Sequence, residues 1–142
     1  MKTFKFVVII FFSILFLSKN VSAKNNYYNE GEKFFVKKNL EKSKFKFEQD
    51  IVFNPKNEKS YLYLAKIYKL EDNDEFQEQN LNTVILLNPQ NEEAVYLLAL
   101  LKIKQSDYKK SKDLINVLSK ICKNFCSKEN ELNGKLKNLQ PK

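Results

Sequence analysis

Asn54-Pro55-Lys56-Asn57-Glu58-Lys59-Ser60-Tyr61-Leu62-Tyr63-Leu64-Ala65 is answered further along the chain by Asn88-Pro89-Gln90-Asn91-Glu92-Glu93-Ala94-Val95-Tyr96-Leu97-Leu98-Ala99. The step from Pro55 to Pro89 is 34 residues. In the first stretch Tyr61, Leu64, Ala65 and Tyr68 recur at i, i+3, i+4 and i+7, which is one face of a helix, and Val95, Leu98 and Ala99 repeat the pattern. A second stripe, Leu81, Val84, Ile85 and Leu87, lies between them. Asn57 and Asn91 are placed to cap the helices that follow. Glu58, Glu92 and Glu93 put negative charge at the helices' positive N-terminal ends, and Lys69, Lys102 and Lys104 lie near the opposite ends.

The pattern extends both ways. A third unit carries Val95, Leu98 and Ala99, the turn Lys104 to Tyr108, then Ser111, Ile115, Leu118 and Ile121. The first carries Tyr27, Gly31 and Phe34, followed by Leu40, Ser43, Phe47 and Phe53. A 34-residue period with small, aromatic and proline slots resembles the tetratricopeptide-repeat family, in an exported bacterial form. The resemblance covers nearly all of residues 24–142, as repeats at about 24–57, 58–91 and 92–125. It implies an all-α fold: three tandem helix-turn-helix repeats in a short right-handed solenoid. Leu132, Leu136 and Leu139 mark a C-terminal capping helix over about 128–139, which an array needs to cover its last core face.

In that family Gly31, Ala65 and Ala99 would sit where the paired helices touch most closely, with Ser43 and Ser111 in the second small slot. Glu30, Asp50, Asp74 and Gln77 depart from the pattern, so the second helix of the middle repeat is expected to be shifted in register or loosely packed. The family's inner face is made by the first helix of each repeat. Here it would present Tyr28, Asn29, Glu32, Phe35, Leu62, Tyr63, Lys66, Lys69, Tyr96, Leu97 and Leu100. Tyrosine offers large contact area at low entropic cost, so this apolar, Tyr-bearing groove is the candidate site for a protein or peptide partner. Tyr63 and Tyr96 are expected to point into it rather than into the core; the alternative for the face is that Tyr28 and Leu97 merely pack onto neighbouring helices or the tail. One branch of the family holds the terminal carboxylate of chaperone tails with Lys and Asn. The matching slots here read Tyr28, Glu32, Tyr63, Glu93 and Tyr96, so that activity does not carry over.

Composition narrows the function. The chain has 25 basic and 17 acidic residues, a formal charge of +8 and no His, and every basic residue is Lys. Guanidinium is the group that grips phosphate in bidentate fashion, so its absence argues against nucleic acid as a partner. Without His the commonest general base and metal ligand are missing. No nucleophile–base pair or Gly-rich loop appears, and the only glycines are Gly31 and Gly134, so no enzyme activity, cofactor or metal is expected. Asp72-Asn73-Asp74 begins like a calcium loop, but Phe76, Gln77 and Thr83 stand where ligands and a glycine belong. Lys33, Lys37, Lys38, Lys42, Lys44 and Lys46 interleave with Phe34, Phe35, Phe45 and Phe47. This reads as solvated outer faces over core rings rather than as a basic docking patch. Cys122 and Cys126 are four residues apart and favour a disulfide in an oxidising compartment; the alternative is two small buried hydrophobes.

Residues 1–23 have the parts of a secretory signal: Lys2 and Lys5, an apolar run from Phe6 to Leu17, and Val21-Ser22-Ala23 before a cut. The run is shorter than the roughly 20 residues that span a bilayer, so cleavage after Ala23 is expected, and membrane attachment only if the leader is retained. No Cys stands close behind the run to carry a lipid anchor. In a Gram-negative host the destination would be the periplasm. The expected function is an exported adaptor docking a peptide in its groove; the alternative is a structural component of an envelope or secretion assembly.

Overall fold

The computed structural model describes residues 26–139, and among them there are seven helices and no strand. The leader, residues 1–23, lies outside the described residues. In chain order the helices are α1 (Tyr27–Val36), α2 (Leu40–Phe53), α3 (Glu58–Leu70), α4 (Asp74–Leu87), α5 (Glu92–Lys104), α6 (Tyr108–Ile121) and α7 (Cys126–Leu139). They pair as α1 with α2, α3 with α4 and α5 with α6, each pair stacks on the next, and α7 lies on α5 and α6. Boundaries recur at the sequence period: α2, α4 and α6 begin at residues 40, 74 and 108. The middle repeat is therefore not shifted in register, contrary to the expectation drawn from Asp74 and Gln77. Gln77, Leu81 and Val84 are all buried, and Phe76, two residues after Asp74, supplies the aromatic by stacking on Tyr68 at 5.2 Å.

Each turn inside a repeat is closed by the same device. Lys38, Asp72 and Ser106 adopt positive φ (58°, 55° and 61°), and the next residue's N–H reaches back to Phe34, Tyr68 or Lys102 O at 2.9 Å. This is the Schellman ending of a helix, built here without glycine. The same next residue then caps the following helix: Asn39, Asn73 and Asp107 accept from the N–H of Lys42, Phe76 and Lys110. Between repeats the capping differs. Asn91 accepts from Ala94 N–H as expected, but Asn57 makes no side-chain cap and turns its amide to Asp50 and Ser60.

Close packing within a repeat follows the small slots. A Cβ on Gly31 would lie 2.7 Å from the Phe47 ring, so the bulkiest partner faces the residue with no side chain. The other repeats place Ala65 and Ala99 in the matching slots, in a core lined by Leu81 and Ile115. Ser43 and Ser111 hydroxyls donate to the Gly31 and Ala99 carbonyls (2.9 and 3.2 Å), which satisfies acceptors that close approach would strand. A core of Leu, Ile, Val and Ala side chains runs from Leu62 through α5 to Leu132 and Leu136 of α7, and a smaller one gathers on Phe47, Leu64 and Ile67. Leu139, expected in the stripe of the capping helix, is instead exposed.

A disulfide joins Cys122 to Cys126, with Cα atoms 5.2 Å apart, and links α6 to α7. Within the loop it closes, the N–H groups of Lys123, Asn124 and Phe125 all donate to Glu92 Oε2 at 2.8–2.9 Å. No helix among the described residues is long and apolar enough to cross a membrane.

Candidate functional site

α1 and α3 bring the first group of expected site residues together. Tyr28, Glu32 and Phe35 lie at i, i+4 and i+7 on α1, and so share a face. Tyr63 of α3 meets them, and Lys66 Nζ lies 5.0 Å over the Tyr63 ring. The Tyr63 ring stacks on Phe47 (centroids 4.8 Å apart, 10° between planes) and meets Phe35 and Tyr28 edge-on at 5.1 and 6.0 Å. Tyr28 O–H donates to Glu32 Oε1 at 2.7 Å, and Tyr63 O–H to the same oxygen at 3.0 Å. Burial above all, then the bond to Glu32, raises both phenols, that of Tyr28 well above the usual tyrosine value, so they remain donors at physiological pH.

Glu32 and Tyr63 of this cluster face an open cavity of about 630 Å³ that is also lined by Asn26, Asn29, Lys33, Val36 and Lys37. Val36, 81% exposed, also borders a second hollow of about 530 Å³ with Phe35, Lys38, Leu40 and Leu70. Leu70, the residue 34 positions beyond Val36, is 63% exposed. Sequence reasoning missed Asn26, Val36 and Leu70 as lining and read Lys33 and Lys37 only as solvated charge. The available signal was an apolar residue recurring at the solvent end of successive first helices.

Further along, the face closes. Lys66 pairs with Glu93 at 2.7 Å. Tyr96 O–H donates to Glu131 of α7 at 3.2 Å, and its ring lies 5.9 Å from that of Phe125. Tyr96 thus packs against the capping segment instead of opening into the groove. Leu62 and Leu97 were expected on the groove wall, but both are buried, at 8% and 7% exposure. Each belongs to the continuous core joining the second and third repeats and α7, because the neighbouring helix covers that flank. Leu100 is half-buried beside a smaller hollow shared with Lys69, Gln77 and Lys104. Of the eleven expected residues, Tyr28, Glu32, Phe35 and Tyr63 therefore form one constellation, with Lys66 joined to it over the Tyr63 ring and Asn29 lining the same cavity.

Its groups are phenols, a carboxylate, amides, ammoniums and apolar edges, which recognise by hydrogen bonding, charge and contact. Among the described residues no three His, Cys, Asp or Glu side chains gather closely enough to hold a metal ion. Asp72 and Asp74, the start of the rejected calcium loop, converge on Lys104 Nζ at 2.5 and 2.7 Å.

No protein-family model matches the sequence, and no curated protein is significantly similar to it. Solved structures are similar in backbone. The TPR2B domain of yeast Sti1, in its pHsp70 complex, superposes with a TM-score of 0.75 at 15% identity, covering 84% of this chain and 100% of that one. The fold is that of tetratricopeptide-repeat domains. The tetratricopeptide-repeat domain of Arabidopsis OM64 is similar at TM-score 0.72 and 14% identity, covering 79% of this chain and 92% of its own. The first such domain of Spaghetti (RPAP3), bound to the HSP90 peptide SRMEEVD, is similar at TM-score 0.71 and 16% identity, covering 80% and 90%.

Proposed function

We propose that the protein is an exported adaptor that binds a peptide segment of a partner in the groove formed by α1 and α3. The observation that carries this reading is the open cavity of about 630 Å³ walled by Glu32, Tyr63 and the exposed Val36. An apolar edge beside fixed polar groups suits a peptide, and the peptide complex of the Spaghetti domain and the pHsp70 complex of the Sti1 domain agree with use of this fold for partner binding. Export rests on the leader, and N-terminal sequencing of exported material should begin at Lys24; a start at Met1 would mean that the leader is retained as an anchor.

The test of the groove is selection of a random dodecapeptide library against the purified protein and against Val36→Lys/Leu70→Lys. Both positions are exposed, so the variant should melt within a few degrees of the native protein, since surface changes usually cost under about 0.5 kcal/mol. Peptides should be enriched on the native protein and lost on the variant. Equal enrichment on both would contradict the groove.

A second reading, a structural component held by its edges, is favoured by Val52 and Leu86. They occupy equivalent places on α2 and α4 and are 74% and 81% exposed, away from the groove. Self-association abolished by Val52→Lys/Leu86→Lys, with no peptide binding, would support it.

A further inference from the structure

Near its C-terminal end the chain contains its own example of what a tyrosine-held glutamate binds. Tyr96 O–H donates to Glu131 Oε1, Lys128 Nζ donates to Glu131 Oε2 at 2.8 Å, and the same ammonium lies 5.5 Å over the Tyr96 ring. The cation meets a carboxylate whose other oxygen a phenol has oriented, together with the negative face of that phenol's ring. Lys66 is held in a related way, by Glu93 at 2.7 Å and over the Tyr63 ring at 5.0 Å.

Glu32 is built on the same plan with two phenols instead of one, both donating to Oε1. Among the described residues no lysine forms an ion pair with it, whereas Glu30 and Glu93 have one such partner each and Glu131 has two, Lys128 and Lys135. Its Oε2 accepts no hydrogen bond from any described residue, and the side chain lines the large cavity.

We propose that Glu32 determines the specificity of the groove by seating a basic side chain, lysine or arginine, of the partner peptide. This rests on the groove reading above. Oε2 takes the cation, Tyr28 and Tyr63 hold the carboxylate in place, and Val36 borders the aliphatic stem. Lys33 and Lys37 also line the cavity and repel a bare polycation, so the preferred segment carries an acidic residue beside the seated base. A segment whose only charges are acidic brings like charge to Glu32 and is selected against.

Aligned peptides from the dodecapeptide selection should carry Lys or Arg at one position with Asp or Glu adjacent. In fluorescence anisotropy with the best labelled peptide, replacing that base by norleucine should weaken binding on the order of tenfold or more, the usual weight of a charge-assisted hydrogen bond. Glu32→Gln should lose a similar factor, and selection on Glu32→Lys should enrich an acid at the aligned position. Should Glu32→Gln loosen the tyrosine cluster, seen as a lowered melting temperature, the norleucine peptide decides on the native protein alone. Enriched peptides without a basic position, or unchanged affinity for the norleucine peptide, would overturn the proposal and leave the groove standing. A selection that enriches nothing would overturn both.

Discussion

Asp50 puts a carboxylate where the other two repeats place Val84 and Leu118. It is 1% exposed, and three donors meet it: Asn54 and Asn57 amides at 2.9 and 2.6 Å and the Ser60 hydroxyl at 2.5 Å. A buried charge is tolerated when its lone pairs are filled, and removing it strands the donors that filled them. Asp50→Ala should therefore cost about 2–4 kcal/mol in urea denaturation. Asp50→Val with Ser60→Ala reproduces the Val84 and Ala94 of the next junction and should recover much of that loss, because both sides of the bond are removed together. Equal loss in the two variants would mean the network adds nothing beyond volume. Asp50 was legible from the sequence as a departure from the repeat, but its partners were not. Asn57 reads as a cap by type and position, and only the fold reveals that a buried carboxylate outbids the helix end for its amide.

The helices and turns were the most legible level, since a 34-residue period and helical spacing fix them without reference to distant contacts. The attachment of α7 was not, because it depends on a contact between residues 31 to 33 positions apart. Three backbone N–H groups from the disulfide loop converge on Glu92, the Lys123 N–H foremost, and hold its carboxyl below the ordinary value of 4.5. A depressed folded-state value stabilises the fold above pH 4.5, and that stability is lost as pH falls through the lower folded value. The melting temperature of the native protein should exceed that of Glu92→Gln at pH 7, and the difference should shrink below pH 4.5. A difference that stays constant down to pH 3 would show that the charge of Glu92 does not fasten the capping helix.

Across the whole molecule the inner face is uneven. Its α1 and α3 half is open, with Val36 and Leu70 exposed, while its α5 half is shut by Tyr96, Phe125 and Glu131. The sequence pattern points to one continuous groove wall, whereas Leu62 and Leu97 are buried, because the stacking of repeats decides which flank is covered. The same stacking makes Tyr63 a support as well as a surface, since its ring packs on Phe47. The central claim is that a peptide occupies the open half. Amide chemical-shift mapping of the 15N-labelled protein with a selected peptide tests it directly. The account predicts the largest shifts at Asn29, Glu32, Val36, Tyr63 and Lys66, with Lys109, Lys112 and Lys120 on the outside of α6 unchanged. Shifts confined to α6, or to the Val52 and Leu86 edge, would contradict it.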